Sequence, residues 1–380
     1  MISYGKHFID QNDIRNVSRS LKSKYITQGP NVLLFEDEIK KKFKAKAVAA
    51  VSSGTAALHL SGIALNWQPN DIILTVPLTF IATANTVLYS GAKLGFVDID
   101  ANTLNIDLNL LERKIKDLRK KGKKIKSIIA VDYAGNPCDW ESIKYLSKKY
   151  NFSVINDNCH AIGSKYKNTI GYASKYADIV THSYHAVKNI TTGEGGSVLS
   201  SDKRIIEKIK NLRTHGLKYF NSNKSKLFYD MQNLGFNYRL TDFQSALGIS
   251  QLKKLNKFIR RRKEIAKIYD NEFKGNKKII IPPVSNHNSH SYHLYPLQIK
   301  FDKAKISKKD LFINMKKNNV ALQSHYLPIY RHSFYKKKFN YKDYPVSENF
   351  YKRQVSLPIY YSLKDREVAK VIKLIKHFIK

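Results

Sequence analysis

Short apolar runs rich in β-branched residues, most of them followed by a helical stretch, constrain this chain more than any other feature of it. AVAAV (Ala47–Val51) leads through SSG into a helix expected from Thr55, and IILTV (72–76) leads into one expected from about Thr79. KLGFVDI, SIIAVDY and SVIND follow as further strands, most of them separated by helical stretches of ten or more residues. Parallel strands need crossover connections, and the helices that make them cover both faces of the sheet. The pattern therefore predicts an α/β fold with a large, mixed, mostly parallel sheet. Upstream, residues 10–22 read as a helix with Asp10 as its N-cap and Ile14, Val17 and Leu21 on one face. A second helical segment carries Phe35, Ile39 and Phe43 at a spacing of four.

The alternation fades near Gln251. A long basic amphipathic helix is expected over 252–273, followed by Pro282-Pro283 and a change of texture. There HLYPLQI reads as a strand, KKDLFINMKKNN as a helix and EVAKVIKLIKHFIK as a closing helix. This predicts a large domain over 1–250, including the N-terminal helices, and a smaller α+β domain over 251–380. The polar, Lys-rich stretch 221–226 reads as an exposed loop, and no internal repeat is visible.

With 380 residues, 42% of them hydrophobic, the chain has ample material for a packed core, which excludes disorder as a description of the whole. Cys138 and Cys159 form no CxxC pair and no disulfide framework, as in a reducing compartment. No apolar run approaches the roughly 18 residues of a membrane span, and the N-terminus has no apolar signal core. A soluble, cytoplasmic protein is expected. The net charge of +37 raises a nucleic-acid reading. Thirteen of the 67 cationic residues are arginine, however, and the 54 lysines are dispersed, with local peaks at 114–126 and 336–338. Lysine is the poorer group for bidentate recognition of phosphates or bases. The excess reads as solvated faces that favour anionic ligands, such as phosphorylated or nucleotide-linked molecules.

Three segments place reactive groups at strand ends, where open α/β sheets collect ligands. In VSSGTAA a strand ends in small residues and a helix begins, so free N–H groups and a hydroxyl can cradle a phosphate; an ordinary helix cap looks the same. In VINDNCH, Asp157 sits at the end of a buried strand with His160 three residues on. An isolated aspartate there is more often a cap or a structural ion pair. In HSYHAVKNITTGEGG, Lys188 lies between a β-rich run and a glycine-rich turn, in a stretch with few other charges. A lysine shielded in that way can lose its proton and attack an aldehyde. Together the three supply what pyridoxal 5'-phosphate (PLP) requires: a phosphate cradle, an acid for the pyridine nitrogen and an amine for a Schiff base.

The runs SGTAAL, INDNCHAIGS, HSYHAVKNITTGEGG and GFNYRLTDFQSALG resemble the DegT/DnrJ/StrS nucleotide-sugar aminotransferases. The resemblance extends from YITQGP to SLPIY and implies the PLP-dependent transferase fold type I, the aspartate-aminotransferase type. VDYAGNPCDW, HAVKNITTGEGG and QSHYLPIY are further similar to the branch of pseudaminic acid biosynthesis. That branch acts on a UDP-linked 4-keto-6-deoxy-N-acetylhexosamine, with L-glutamate as the implied amino donor.

Roles follow from the resemblance. Lys188 would form the Schiff base and shuttle the proton, and Asp157 would pair with the pyridinium nitrogen. His160 would lie beside the ring and Phe80 would stack on it, although Phe80 also reads as simple core packing. Thr55, Ala56 and Ser183 would hold the phosphate, joined by Asn237 from a second subunit, which implies a homodimer with shared sites. The nucleotide sugar would meet Tyr4, Lys24, Tyr25, Ile26, Thr27, Gly54, Ser183, Asn237, His325, Tyr326, Leu327 and Pro328. Tyr326 with Tyr330 also reads as an aromatic edge of the small domain, and neither Asn136 nor Asn189 supports a choice of substrate.

Other chemistry is weaker. His287, His290 and His293 fit neither a helical nor a strand face as metal ligands, and TTGEGG lacks the ending of an ATP-binding P-loop. Sugar dehydratases of the same fold replace the lysine by histidine, whereas Lys188 is present here. Two alternatives stay open: a different UDP-, GDP- or dTDP-linked keto sugar as acceptor, and a basic nucleic-acid-binding protein with a vestigial site.

Overall fold

The computed structural model describes residues 1–222, 225–283 and 288–380, with side chains except those of residues 219–228. In chain order the first half comprises α1 (Gln11–Leu21), α2 (Pro30–Phe43), β1 (Ala47–Val51), α3 (Gly54–Ala64), β2 (Ile72–Thr75), α4 (Ile81–Tyr89), β3 (Lys93–Phe96), α5 (Leu108–Lys120), β4 (Ile125–Val131), α6 (Trp140–Tyr150) and β5 (Ser153–Asp157). There follow β6 (Lys165–Tyr166), α7 (Tyr172–Tyr176), β7 (Ile179–Ser183), β8 (Gly196–Ser200), α8 (Lys203–Leu212), β9 (Leu217–Ser222), β10 (Ser225–Met231) and α9 (Asp242–Phe273). The chain closes with β11 (Ile279–Ile280), β12 (Asn288–Ser289), β13 (Tyr295–Ile299), α10 (Lys308–Lys317), α11 (Pro345–Arg353), β14 (Gln354–Leu357) and α12 (Asp365–Phe378).

Seven strands form the large sheet in the order β1-β8-β7-β5-β4-β2-β3. β8 pairs antiparallel with both neighbours, and the other pairings are parallel. Alternate residues bury on opposite faces, as the strand period requires. Ile129, Ile155 and Ile179 pack with α3 and α8, whereas Ile128, Val154 and Val180 share a core with α2, α6 and α9. The expected large, mostly parallel sheet is present. The C-terminal region is α+β: β11, β13 and β14 form an antiparallel sheet, packed with the second half of α9, α10 and α12. Ile2 joins that core and bridges Val320, so the N-terminal segment runs beside the small sheet.

The expected helix over 252–273 starts ten residues earlier, at Asp242. Thr241 and Gln244 form a reciprocal capping box, a signal hidden by the small residues Ser245, Gly248 and Ser250. Gly248 is needed because a Cβ there would meet the Phe35 ring at 2.6 Å. The helix is continuous through residues 250 and 251. In α1, Asp10 is the N-cap as expected, but the buried side is not the apolar one. Ile14 and Leu21 are about half exposed while Asp13 and Ser20 are buried. The reason is polar packing on α9, where Asp13 meets Lys254 and Gln251, and Ser20 meets Asp242. The loop expected over 221–226 is mostly strand: Asn221 and Ser222 end β9 and Ser225 starts β10 in an antiparallel hairpin, with 223–224 outside the described residues.

Candidate active site

Because β1, β7, β5, β4 and β2 run in one direction, their carboxyl ends form one edge of the sheet. Asp157 is the last residue of β5, Ser183 the last of β7, and Ser53 follows β1 by two residues. Lys188 lies on the turn between β7 and β8, where His185 bridges Gly193. These groups line one cavity of about 570 Å³. Gly54, Thr55, Phe80 and His160 line it from the large domain, and Tyr4, His325 and Tyr326 complete the wall.

One end of the cavity is the N-terminus of α3. Ser53 caps the helix, its Oγ accepting from the Ala56 N–H at 3.0 Å. The Gly54 and Thr55 N–H groups precede the first intrahelical donor, so the helix start offers donors and positive potential to an anion. Gly54 is required by close approach: a Cβ there would meet the Ser183 Cβ at 2.8 Å.

Asp157 is buried with one donor on each oxygen. Thr83 Oγ1 donates to Oδ2 at 2.7 Å and the Cys159 N–H to Oδ1 at 3.2 Å. Since the Thr83 proton is committed to the carboxylate, the 3.0 Å contact between Thr79 and Thr83 has Thr79 as its donor. Behind this strand end Asp132 is completely buried and accepts from Tyr172, Asn156, Asn158, Trp140 and the Cys138 N–H. That carboxylate braces the loop on which Asp157 and His160 sit.

Burial lowers the pKa of Lys188 from the ordinary lysine value, which favours the neutral, nucleophilic amine. His160 is held neutral by burial. Its Nδ1 accepts from the Ala134 N–H at 3.3 Å, so in the neutral ring the proton resides on Nε2. Nε2 therefore donates to Tyr326 Oη at 2.9 Å, which leaves the phenol's own hydrogen free for another acceptor. The Tyr326 ring stands 5.8 Å from Phe80, and His293 lies 4.6 Å from His160. Burial pushes the Tyr326 hydroxyl up, so it remains a phenol.

Of the residues expected at the site, Tyr4, Gly54, Thr55, Phe80, Asp157, His160, Ser183, Lys188, His325 and Tyr326 meet around this cavity. Ala56 acts through its N–H on Ser53, while Leu327 and Pro328 follow Tyr326 outside the lining. Asn237 lies away from this chain's own cavity, its backbone bridging Thr214. Lys24, Tyr25, Ile26 and Thr27 are also outside the lining, and Ile26 and Thr27 are tied to the start of α9 instead. Sequence reasoning missed Ser53, Thr79, Thr83, Glu194, Gln323 and the cavity role of His293. The spacing of four between Thr79 and Thr83 was the one available signal. His290 stacks on Tyr292, away from His293, and His287 lies outside the described residues.

The donor set fits PLP. The α3 N-terminus with Ser183 suits the phosphate, Asp157 presents a carboxylate for the ring nitrogen, and the buried amine of Lys188 suits the aldehyde.

Comparison with known proteins agrees with this geometry. The model of the DegT/DnrJ/EryC1/StrS aminotransferase family matches residues 7–376. The chain is 40% identical over 373 residues to the UDP-4-amino-4,6-dideoxy-N-acetyl-beta-L-altrosamine transaminase of Campylobacter jejuni serotype O:2, covering 97% of this chain and 96% of that one. Helicobacter pylori PseC, an aminotransferase involved in pseudoaminic acid biosynthesis, superposes with a TM-score of 0.90 at 34% identity, over 99% of this chain and 98% of that one. Spr1654 of Streptococcus pneumoniae, in its PLP-form, gives a TM-score of 0.89 at 27% identity, over 99% and 97% of the two chains. With the match running over nearly its whole length, the chain belongs to the DegT/DnrJ/EryC1/StrS aminotransferase family and is a PLP-dependent aminotransferase.

Proposed function

We propose that the protein transfers the amino group of L-glutamate to C4 of a UDP-linked 4-keto-6-deoxy-N-acetylhexosamine, the amination step of pseudaminic acid biosynthesis. The observation that carries the aminotransferase chemistry is the meeting of Lys188, Asp157 and the α3 N-terminus around one cavity. The choice of acceptor is supported by 40% identity to the C. jejuni transaminase along nearly the whole chain.

PLP, when bound, supplies an aldehyde that takes up the amino group and a ring that withdraws electrons from the adjacent carbon. The chain supplies the rest. The amine of Lys188, whose pKa burial lowers toward the neutral form, would be the base that takes the α-proton of the amino donor and the acid that returns a proton in the second half-reaction. Asp157, fixed by Thr83 and the Cys159 N–H, would supply the negative charge that pairs with the ring nitrogen. Thr55 and Ala56 at the α3 N-terminus, with Ser183, would hold the phosphate end, and Phe80 would cover a face of the ring. Tyr326 offers its hydroxyl hydrogen to the substrates, since His160 already occupies its oxygen.

The same reading divides the chain into a PLP-binding domain over 1–250 and a smaller domain over 251–380. It makes the protein a cytoplasmic homodimer in which Asn237 serves the partner's site. Ile14, Leu21, Leu33, Leu34, Met231 and Leu234 are exposed apolar side chains available to such an interface. Among the described residues no helix is long and apolar enough to cross a membrane. The dispersed lysines fit an anionic nucleotide sugar better than nucleic acid.

The test uses purified protein loaded with PLP. L-glutamate is expected to bleach the absorption band of the lysine-bound cofactor, and a panel of keto sugar nucleotides, with the new amine located by NMR, is expected to give turnover at C4 of the UDP-linked sugar. Turnover of another sugar alone would replace the acceptor. Absence of the band, or its persistence in Lys188→Ala, would overturn the reading as a whole.

A further inference from the structure

Asp242, the first residue of α9, is completely buried. Its carboxylate accepts from the Asn31 N–H at 2.8 Å, Asn31 Nδ2 at 2.6 Å, the Val32 N–H at 3.3 Å and Ser20 Oγ at 3.3 Å. No lysine or arginine pairs with it among the described residues. Its own N–H donates to the Ile26 carbonyl at 3.0 Å, and its neighbour Thr241 bridges Thr27. Two residues on, Gln244 Nε2 donates to the Glu194 carbonyl at 2.8 Å, and Glu194 lines the cavity on the glycine-rich turn that follows Lys188. One helical turn thus grips both the segment 24–32 and the wall of the active site.

An N-cap for α2 alone would not need this arrangement. The N-cap position of α2 is Gly29, which has no capping side chain, and the cap comes instead from 211 residues away. A side chain at 29 would crowd that same carboxylate. A Cβ there would meet Asp242 Cγ at 2.6 Å and Tyr25 Cβ at 2.8 Å, although the backbone, with φ of −91°, is open to any residue. Asp242 therefore fixes where residues 24–29 lie relative to the cavity wall, in addition to capping the helix.

We propose that Asp242 is the positioning residue of the nucleotide-sugar segment. By holding Lys24, Tyr25, Ile26 and Thr27 in register with the Glu194 turn, it sets the affinity for the acceptor and takes no part in the amino-donor half-reaction. This rests on the reading that residues 24–27 meet the nucleotide sugar.

The experiment uses the full-length PLP-loaded enzyme with L-glutamate and the keto sugar nucleotide that it turns over in the acceptor panel. Asp242→Asn keeps the shape but turns an amide toward the backbone and side-chain donors. It is expected to raise the acceptor KM about tenfold, with kcat within about twofold and glutamate-dependent bleaching unchanged. Gly29→Ala, which presses on the same carboxylate, is expected to raise the same KM and stands in if Asp242→Asn fails to fold. A glutamate half-reaction slowed as much as the overall reaction would overturn the proposal. Lys24→Ala and Tyr25→Ala separate the two levels. If they raise the acceptor KM while Asp242→Asn and Gly29→Ala do not, the positioning role of Asp242 falls alone; if none of the four moves it, the contact of residues 24–27 with the acceptor falls too.

Discussion

The Thr83 hydroxyl donates to the Asp157 carboxylate across 2.7 Å, so the helix that follows β2 aims the acid at the end of β5, 74 residues further along the chain. Thr83→Val keeps the shape and deletes the donor. A hydrogen bond to a charged group contributes about 1.5–3 kcal/mol, so PLP retention is expected to weaken by about tenfold or more. Equilibrium dialysis of the cofactor would check this, and unchanged retention would show that Asp157 needs no such brace.

In the proposed reaction Lys188 acts as the neutral amine, whose fraction rises with pH. Burial lowers its pKa, and the Asp157 charge acts in the opposite direction. The midpoint for borohydride trapping of PLP on the apoenzyme should therefore lie below the ordinary lysine value of about 10.5 and fall further in Asp157→Asn. An upward shift in that variant would contradict the electrostatic picture. Lys188→Ala is expected to abolish trapping at this position, read by peptide mass mapping.

Asp132 satisfies five donors in a site closed to water. Asp132→Ala strands all of them, and Asp132→Asn turns an amide toward some. Each change is expected to cost about 3 kcal/mol, measured by urea unfolding. A loss under about 1 kcal/mol would mean that the network relaxes around the substitution.

Lys308 supports the cavity edge through Ser324, and burial lowers its pKa to about 8. Between that value and the unfolded value of about 10.5 the unfolded chain binds more protons, so the stability contribution of Lys308 rises with pH across this window. Comparison of wild type with Lys308→Met at pH 7 and pH 10 should show the wild type gaining ground at the higher pH. A difference independent of pH would rule out the shift.

Much of the site could be read in the sequence because its chemistry sits at strand ends. SVIND and the run before HAVKNI deliver Asp157 and Lys188 to one edge of a parallel sheet, and SSGT delivers the helix start. The helix over 242–251 was harder to see, since Ser245, Gly248 and Ser250 look like a turn until the Phe35 ring fills the space above Gly248. In α1 the apolar spacing misled. Ile14 and Leu21 face outward because Asp13 and Ser20 have polar partners on α9, which local periodicity does not report.

The alternation of strands and helices, the acid, the amine and the helix start after SSG are legible along the chain alone, because each is encoded within a dozen neighbouring residues. That Thr83 reaches Asp157, that His293 packs on His160 and that Asp242 bonds residues 26, 31 and 32 emerges only when the chain is folded. Those pairs are 74, 133 and more than 200 positions apart. Their meeting depends on the order β5-β4-β2 in the sheet and on the path of one long helix, and both are set by the packing of the whole core.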